Sequence, residues 1–159
     1  MSSSLDDMYR DIILDHYRAP RGSKPLPMAD IHSDGHNPSC GDDIEVNIQV
    51  EDDILKDIHV NCKGCAISVA SGSMLAETVK GKTFVEVQRI AEVVKAMLKG
   101  DEVEIPDDLG DLDALKGVRQ FPVRIKCALL AWVTLIEGLK HYADDPKGAK
   151  PSVSTEKED

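Results

Sequence analysis

Basic residues are outnumbered in this chain: 19 Lys and Arg face 29 Asp and Glu, for a formal net charge of -10. Nucleic acid is therefore excluded as an expected partner, because phosphate contacts need clustered Lys and Arg. No apolar run approaches the roughly 20 residues of a membrane span. The opening Met1-Ser2-Ser3-Ser4-Leu5-Asp6-Asp7 lacks the basic start and apolar centre of a secretion signal. A cytoplasmic location is expected from this, and thiols stay reduced there. Cysteines number only 4. In a reduced compartment they point to metal ligation, nucleophilic chemistry or core packing rather than to disulfides. No internal repeat is present. The remaining composition, 42% hydrophobic and 30% charged over 159 residues, fits one globular domain with a real core.

Leu5, Met8, Ile12, Ile13, His16 and Tyr17 recur at helical spacing, which predicts a helix from about Leu5 to Arg18, ended by Ala19-Pro20. His16 lies on the apolar side of this helix and is read as a hydrogen-bonded core residue, not a ligand. A proline-rich loop follows to Met28, then a short edge strand at Ala29 to Ser33. Ile44, Val46, Ile48 and Val50 alternate with polar residues, the period of a strand with one buried face. Glu51-Asp52-Asp53 turns the chain into a second strand. Ile54, Ile58, Val60 and Cys62 form its inner face, and His59 is expected in solvent on the outer one. From Cys65 the period becomes helical, with a belt of small residues from Ser68 to Ser73. Thr83 and Glu86 form a capping-box signature for a further helix that ends at Lys99-Gly100. The acidic stretch from Asp101 to Gly117 reads as a loop with a helical turn near Leu112 to Leu115. The last helix, from about Arg124 to Tyr142, is apolar on most of its surface and is expected at the centre of the packing. The fold class is α+β, a small antiparallel sheet (a hairpin or three-strand meander) with helices packed on one face. The domain spans residues 1–143, and a disordered charged tail covers residues 144–159.

Chemistry concentrates at Asn37-Pro38-Ser39-Cys40-Gly41-Asp42, at Gly64-Cys65 and at Arg124-Ile125-Lys126-Cys127. Thiolates and a carboxylate are donors that zinc accepts in four-coordinate sites, and iron–sulfur clusters also use thiolates. Cys65 and Cys127 fall at or near expected helix N-termini, where the helix dipole lowers a thiol pKa. Arg124 and Lys126 would offset the negative charge of such a site. Cys40, between proline and glycine in a polar loop, is a poor candidate for core filling. Cys62 is in phase with Ile58 and Val60 and is read as core packing. The competing reading takes Cys62-Lys63-Gly64-Cys65 as a C-x-x-C knuckle, with Cys40 and Cys127 completing a four-cysteine site and Asp42 standing behind it.

Three motifs in order resemble the U-type iron–sulfur cluster assembly family. They are Asn37 to Asp42, Gly64-Cys65-Ala66-Ile67-Ser68 with Ala70 to Met74, and Phe121 to Ala128 with Trp132. Tyr9-Arg10-Asp11-Ile12-Ile13-Leu14-Asp15-His16-Tyr17 is similar to the family's opening, so the likeness covers roughly Leu5 to Tyr142. It favours the SufU-type branch over the IscU-like scaffolds of this NifU N-terminal family. IscU proteins carry a histidine where Lys126 stands, and the stretch from Lys99 to Gln120 looks like the insertion typical of SufU proteins.

The resemblance implies zinc held by Cys40, Asp42, Cys65 and Cys127, with iron or a [2Fe–2S] cluster as the alternative cargo. It implies a SufS-type cysteine desulfurase as partner, persulfide transfer to Cys40, and onward delivery to downstream iron–sulfur assembly machinery. It also suggests that a histidine of the desulfurase replaces Cys40 on the metal. Cys40 and Arg124 are the candidate catalytic residues. Cys62 departs from the family pattern, which has no cysteine there. A zinc-dependent sulfurtransferase is the expected function, and a [2Fe–2S] scaffold is the alternative.

Overall fold

The computed structural model describes residues 3–105, 107–144 and 152–154. In chain order it contains α1 (Ser3–Arg18), β1 (Ile31–Asn37), β2 (Asp42–Glu51), β3 (Ile54–Lys63), α2 (Ala66–Val79) and α3 (Phe84–Leu98). A 3-10 segment (Asp107–Gln120), α4 (Pro122–Asp144) and β4 (Ser152–Ser154) complete it. Strands β1, β2 and β3 form the antiparallel sheet, in the order β3-β2-β1-β4, with β4 parallel to β1. The α+β class expected from the sequence is the one observed.

Period-two alternation sets the register. Val46 pairs with Ser33 on one side and Val60 on the other, while Ile48 pairs with Ile31 and Ile58. All six side chains are buried on one face, beneath α2 and α4. A register slip of one residue would turn that face to water, so the apolar pattern fixes the pairing. Asp52 and Asp53 close the hairpin with φ of 54° and 61°, the left-handed pair of a tight two-residue turn.

Two expectations shift at this sheet. The short edge strand expected at Ala29 to Ser33 is β1, which runs from Ile31 to Asn37 and lies inside the sheet between β2 and β4. Its inward positions include Ser33, Gly35 and Asn37, so no apolar alternation announces it. Gly35 is small because α4 presses on it: an added Cβ would overlap the Thr134 hydroxyl. The inner face of β3 also differs. Gln49 pairs with Asp57 and Val50 with Leu55, which leaves Lys56 unpaired in a bulge. Leu55, not Ile54, is therefore the fully buried residue at that end.

Helix α2 is buried nearly all round, between the sheet, α1 and α4. Its small residues make that approach close: Gly72 faces Val60 and Ile44, and Ser71 donates to the Ala128 carbonyl while accepting from the Trp132 indole. Helix α3 begins with the expected capping box. The Glu86 amide donates to Thr83 Oγ1, and the Thr83 amide donates to Glu86 Oε1. The stretch expected as a loop with one turn is instead a run of 3-10 turns kinked at Leu109, with Leu112, Ala114, Leu115 and Val118 buried. Its apolar residues anchor it across α1, α3 and α4.

Helix α4 starts at Pro122, earlier than expected, because proline is tolerated in a first helical turn. Of the tail expected to lack structure, Ser152–Ser154 pairs with Asp34–His36. Residues 145–151 and 155–159 lie outside the described residues. Gly35→Ala should lower folding stability by about 1–3 kcal/mol through overpacking against Thr134. Chemical denaturation, read as a lower midpoint at unchanged slope, checks this.

Candidate metal centre

One end of the sheet, where β1 passes into β2, meets the starts of α2 and α4. Asn37 closes β1, and its carbonyl accepts from the amides of Cys40 (3.2 Å) and Gly41 (2.9 Å), so the chain folds into a tight turn. That turn leaves Cys40 partly exposed and returns Asp42 to the buried face, at 1% exposure. Gly64 packs its backbone on the Asp42 carboxylate, with φ of 150°, and an added Cβ would collide with Asp42. The close approach lets the Cys65 amide donate to Asp42 Oδ1 at 2.8 Å. Cys65 is the N-cap of α2, and its sulfur lies 3.4 Å from Ser68 Oγ and 3.9 Å from Asp42 Oδ2.

Cys127 comes from the second turn of α4 and is fully buried. Its sulfur sits 3.3 Å from that of Cys40. Asn37, also buried, donates through Nδ2 to Asp42 Oδ2 and to Cys127 Sγ, both at 3.4 Å. Cys40, Asp42 and Cys127 thus bring their donor atoms within 4.8 Å of one another. Cys65 adjoins this group through Asp42. Arg124 Nη1 points at the same sulfurs, 3.6 Å from Cys40 and 4.0 Å from Cys127. Lys126, expected to share that role, is exposed on α4.

Charge is the dominant physical fact of the cluster. Burial alone would raise the Asp42 carboxyl, but hydrogen bonds from Ser68, the Cys65 amide, Cys127 and Asn37 hold it below the usual aspartate range. It is an anion at neutral pH. Burial pushes the Cys127 thiol up, and the neighbouring Cys40, Asp42 and Cys65 push it further. The expectation of a dipole-lowered Cys127 thiol is overturned: the residue lies a turn inside the helix, away from solvent and among anions. Hydrogen bonding to Cys127 raises the Arg124 guanidinium, and the charges of Cys65, Cys127 and Cys40 add to this. Thiols packed around a buried carboxylate ionise together only when a cation lies among them, so this donor set fits a thiophilic divalent metal.

Cys62 stays outside the group. It pairs with Ile44 on the inner face of β3 and packs below Gly72 of α2, as its strand phase implied. Burial, then the charges of Asp42, Cys65 and Asp43, push its thiol up to about 12. Asn37 and Ser68 are the site residues that sequence reasoning left without a role. Asn37 heads the first cysteine motif, and Ser68 stands one helical turn after Cys65, so both had a positional signal. His59 is half-buried and accepts from Asn47 Nδ2 at 3.0 Å, where a solvated ring was expected.

The model of the NifU-like N-terminal domain matches residues 8–128. This chain belongs to the NifU-like N-terminal domain family. Within it, the chain is 40% identical over 138 residues to the zinc-dependent sulfurtransferase SufU of Bacillus subtilis, covering 87% of this chain and 93% of that one. It is 35% identical over 142 residues to the iron-sulfur cluster assembly scaffold protein IscU of Streptococcus pyogenes, covering 89% of each. A crystal structure from Fervidobacterium islandicum, described as an iron-sulfur cluster assembly scaffold protein for the SUF system, superposes with a TM-score of 0.76. It shares 30% identity over 81% of this chain and 94% of its own. Among the described residues of this family member, no helix is long and apolar enough to cross a membrane.

The raised Cys62 thiol gives a direct test. Cys62 is neutral at pH 8, so in the folded, metal-free protein iodoacetamide should label it more slowly than the partly exposed loop thiol Cys40, as read by mass spectrometry. The Cys62 rate should keep rising through pH 11 as the thiolate forms. Labelling that levels off near pH 9 would show an unperturbed thiol.

Proposed function

We propose that this chain is a zinc-dependent sulfur carrier in iron–sulfur cluster assembly. It accepts persulfide sulfur from a SufS-type cysteine desulfurase on Cys40 and passes it to downstream assembly machinery. The observation that carries this reading is the meeting of a mobile-type loop thiol, Cys40, with the anchored Cys127 and Asp42 at one point. The 40% identical relative named a zinc-dependent sulfurtransferase supports it.

In this reading zinc is held by Cys40, Asp42, Cys65 and Cys127. Bound zinc keeps its thiol ligands deprotonated at neutral pH, which a buried cluster of acids does not do alone. Asn37 and Ser68 hold the carboxylate and sulfurs in place by hydrogen bonds, as outer partners of a metal site do.

Sulfur transfer then follows from the Cys40 thiolate. Cys40 Sγ attacks the terminal sulfur of the desulfurase's cysteine persulfide. The new S–S bond forms as the old one breaks, and the desulfurase cysteine leaves as a thiolate. One sulfur atom moves, and no external oxidant or reductant is consumed. Arg124 is close enough to Cys40 to donate to the anionic persulfide that results. The turn at Asn37 to Gly41 lets Cys40 swing outward without moving Cys127, which is fixed in the core.

The alternative reading assembles a [2Fe–2S] cluster on the same donors, and the relative named as an IscU scaffold favours it. Incubation with a SufS-type desulfurase and free cysteine separates the two. Mass spectrometry should find the added sulfur on the Cys40 peptide. Cys40→Ser should drop desulfurase turnover to the level of desulfurase alone while the circular dichroism spectrum stays unchanged. Sulfur found on Cys65 or Cys127, with Cys40→Ser still accepting it at the normal rate, would overturn the assignment.

A further inference from the structure

A second group of ligand-type side chains lies apart from the thiol site, where α1, α2 and the 3-10 segment meet. His16 is fully buried. Its Nδ1 is 2.7 Å from Ser73 Oγ, and its Nε2 is 2.7 Å from Asp111 Oδ2 and 3.9 Å from Glu77 Oε1. Glu77 and Asp111 are about half exposed, at 47% and 46%. The three donor atoms all lie within 4.8 Å of one another. Neither carboxylate is near His16 in sequence, so the group exists only in the fold.

We propose that His16, Glu77 and Asp111 form a second divalent-cation site, one imidazole and two carboxylates, for a metal of the iron(II) or manganese(II) class. Nitrogen and oxygen donors without thiolate suit such cations, whereas the thiol site suits zinc. Ligand atoms about 2.1 Å from a shared ion stand roughly 3–3.4 Å apart, so small side-chain shifts from the observed spacing admit one.

The orientation of the donors supports a built site. Arg21 fixes one donor directly and one through Ser73: its Nε donates to Glu77 Oε2 at 3.3 Å, and its amide donates at 2.8 Å to Ser73 Oγ, which meets the His16 ring. That leaves Glu77 Oε1 facing His16. Ser73 holds the His16 ring through Nδ1, which is how metal-ligating histidines are ordinarily positioned. With a cation on Nε2, the ring carries its proton on Nδ1 and donates it to Ser73 Oγ.

An open bowl lined by Asp7, Met8, Asp11, Ile12 and Asp15 of α1 adjoins the group at Asp111. Asp7 is paired with Arg10, and Asp15 with Arg21. Asp11 has no hydrogen-bond or ion-pair partner among the described residues, so the bowl keeps a negative field that concentrates cations. Binding ties α1 and α2 to the 3-10 segment, which leads directly into the helix carrying Arg124 and Cys127.

Titration of zinc-loaded full chain with manganese(II), following free ion by electron paramagnetic resonance, tests this with the thiol site already filled. About one manganese per chain should bind. Asp111→Asn and Glu77→Gln, both at half-exposed positions, should each weaken it about tenfold or more. Asp34→Asn, on β1, should leave it unchanged. Proton NMR of the zinc-loaded protein should show the His16 ring signals broadened first as manganese is added. Failure of the wild type to bind, or equal affinity in Asp111→Asn and Glu77→Gln, would overturn the site and show only diffuse attraction by surface carboxylates.

Discussion

The architecture turns on placing several acidic groups side by side out of water. Asp42 is buried and ionised, Cys127 is buried beside it, and Cys40 and Cys65 close around them, with Arg124 the cation seen at the sulfurs. Like charges at 3–4 Å in a region of low polarisability repel by several kcal/mol unless a cation or protons intervene. Much of the local structure exists to hold that arrangement. Gly64 is a glycine because the Asp42 carboxylate occupies the space of a side chain. Asn37 is buried because its amide must reach both Asp42 and Cys127.

Rigidity is unevenly distributed around the cluster, and the distribution matches the proposed chemistry. Cys127 belongs to a helix buried along most of its length, and Cys65 is the N-cap of a helix packed on three sides. Cys40 lies on a short turn, its amide donating to the Asn37 carbonyl, and is partly exposed. A site that must keep its metal and yet release one thiol to a partner needs this asymmetry. Loops carried by a rigid scaffold are where such mobile groups are found. The exposed apolar residues Phe121 and Val123 lie just before Arg124 in the chain.

The parts of the fold governed by local period were legible in the sequence. Alternation in Ile44 to Val50 gave β2, and the Thr83 to Glu86 pattern gave the start of α3. The parts set by distant neighbours were not. β1 has polar inward positions whose partners, such as Thr134, lie about a hundred residues away. The bulge at Lys56 exchanged Ile54 for Leu55 in the core, a change that only strand pairing reveals. The 3-10 segment follows neither the helical nor the strand period, so only a single helical turn, near Leu112 to Leu115, was legible in it. At the site, the thiols and Asp42 were readable from their motifs, but the direction of the Cys127 shift was not. It depends on burial and on acidic groups brought in from two other segments.

Metal analysis with an absorption spectrum, on protein purified without added metal, tests the central claim most directly: that the buried thiol–carboxylate cluster is completed by zinc. About one zinc per chain and a colourless solution are expected of three thiols and a carboxylate in a closed four-coordinate site. Stoichiometric iron and sulfide with visible absorbance, retained through gentle purification, would contradict it.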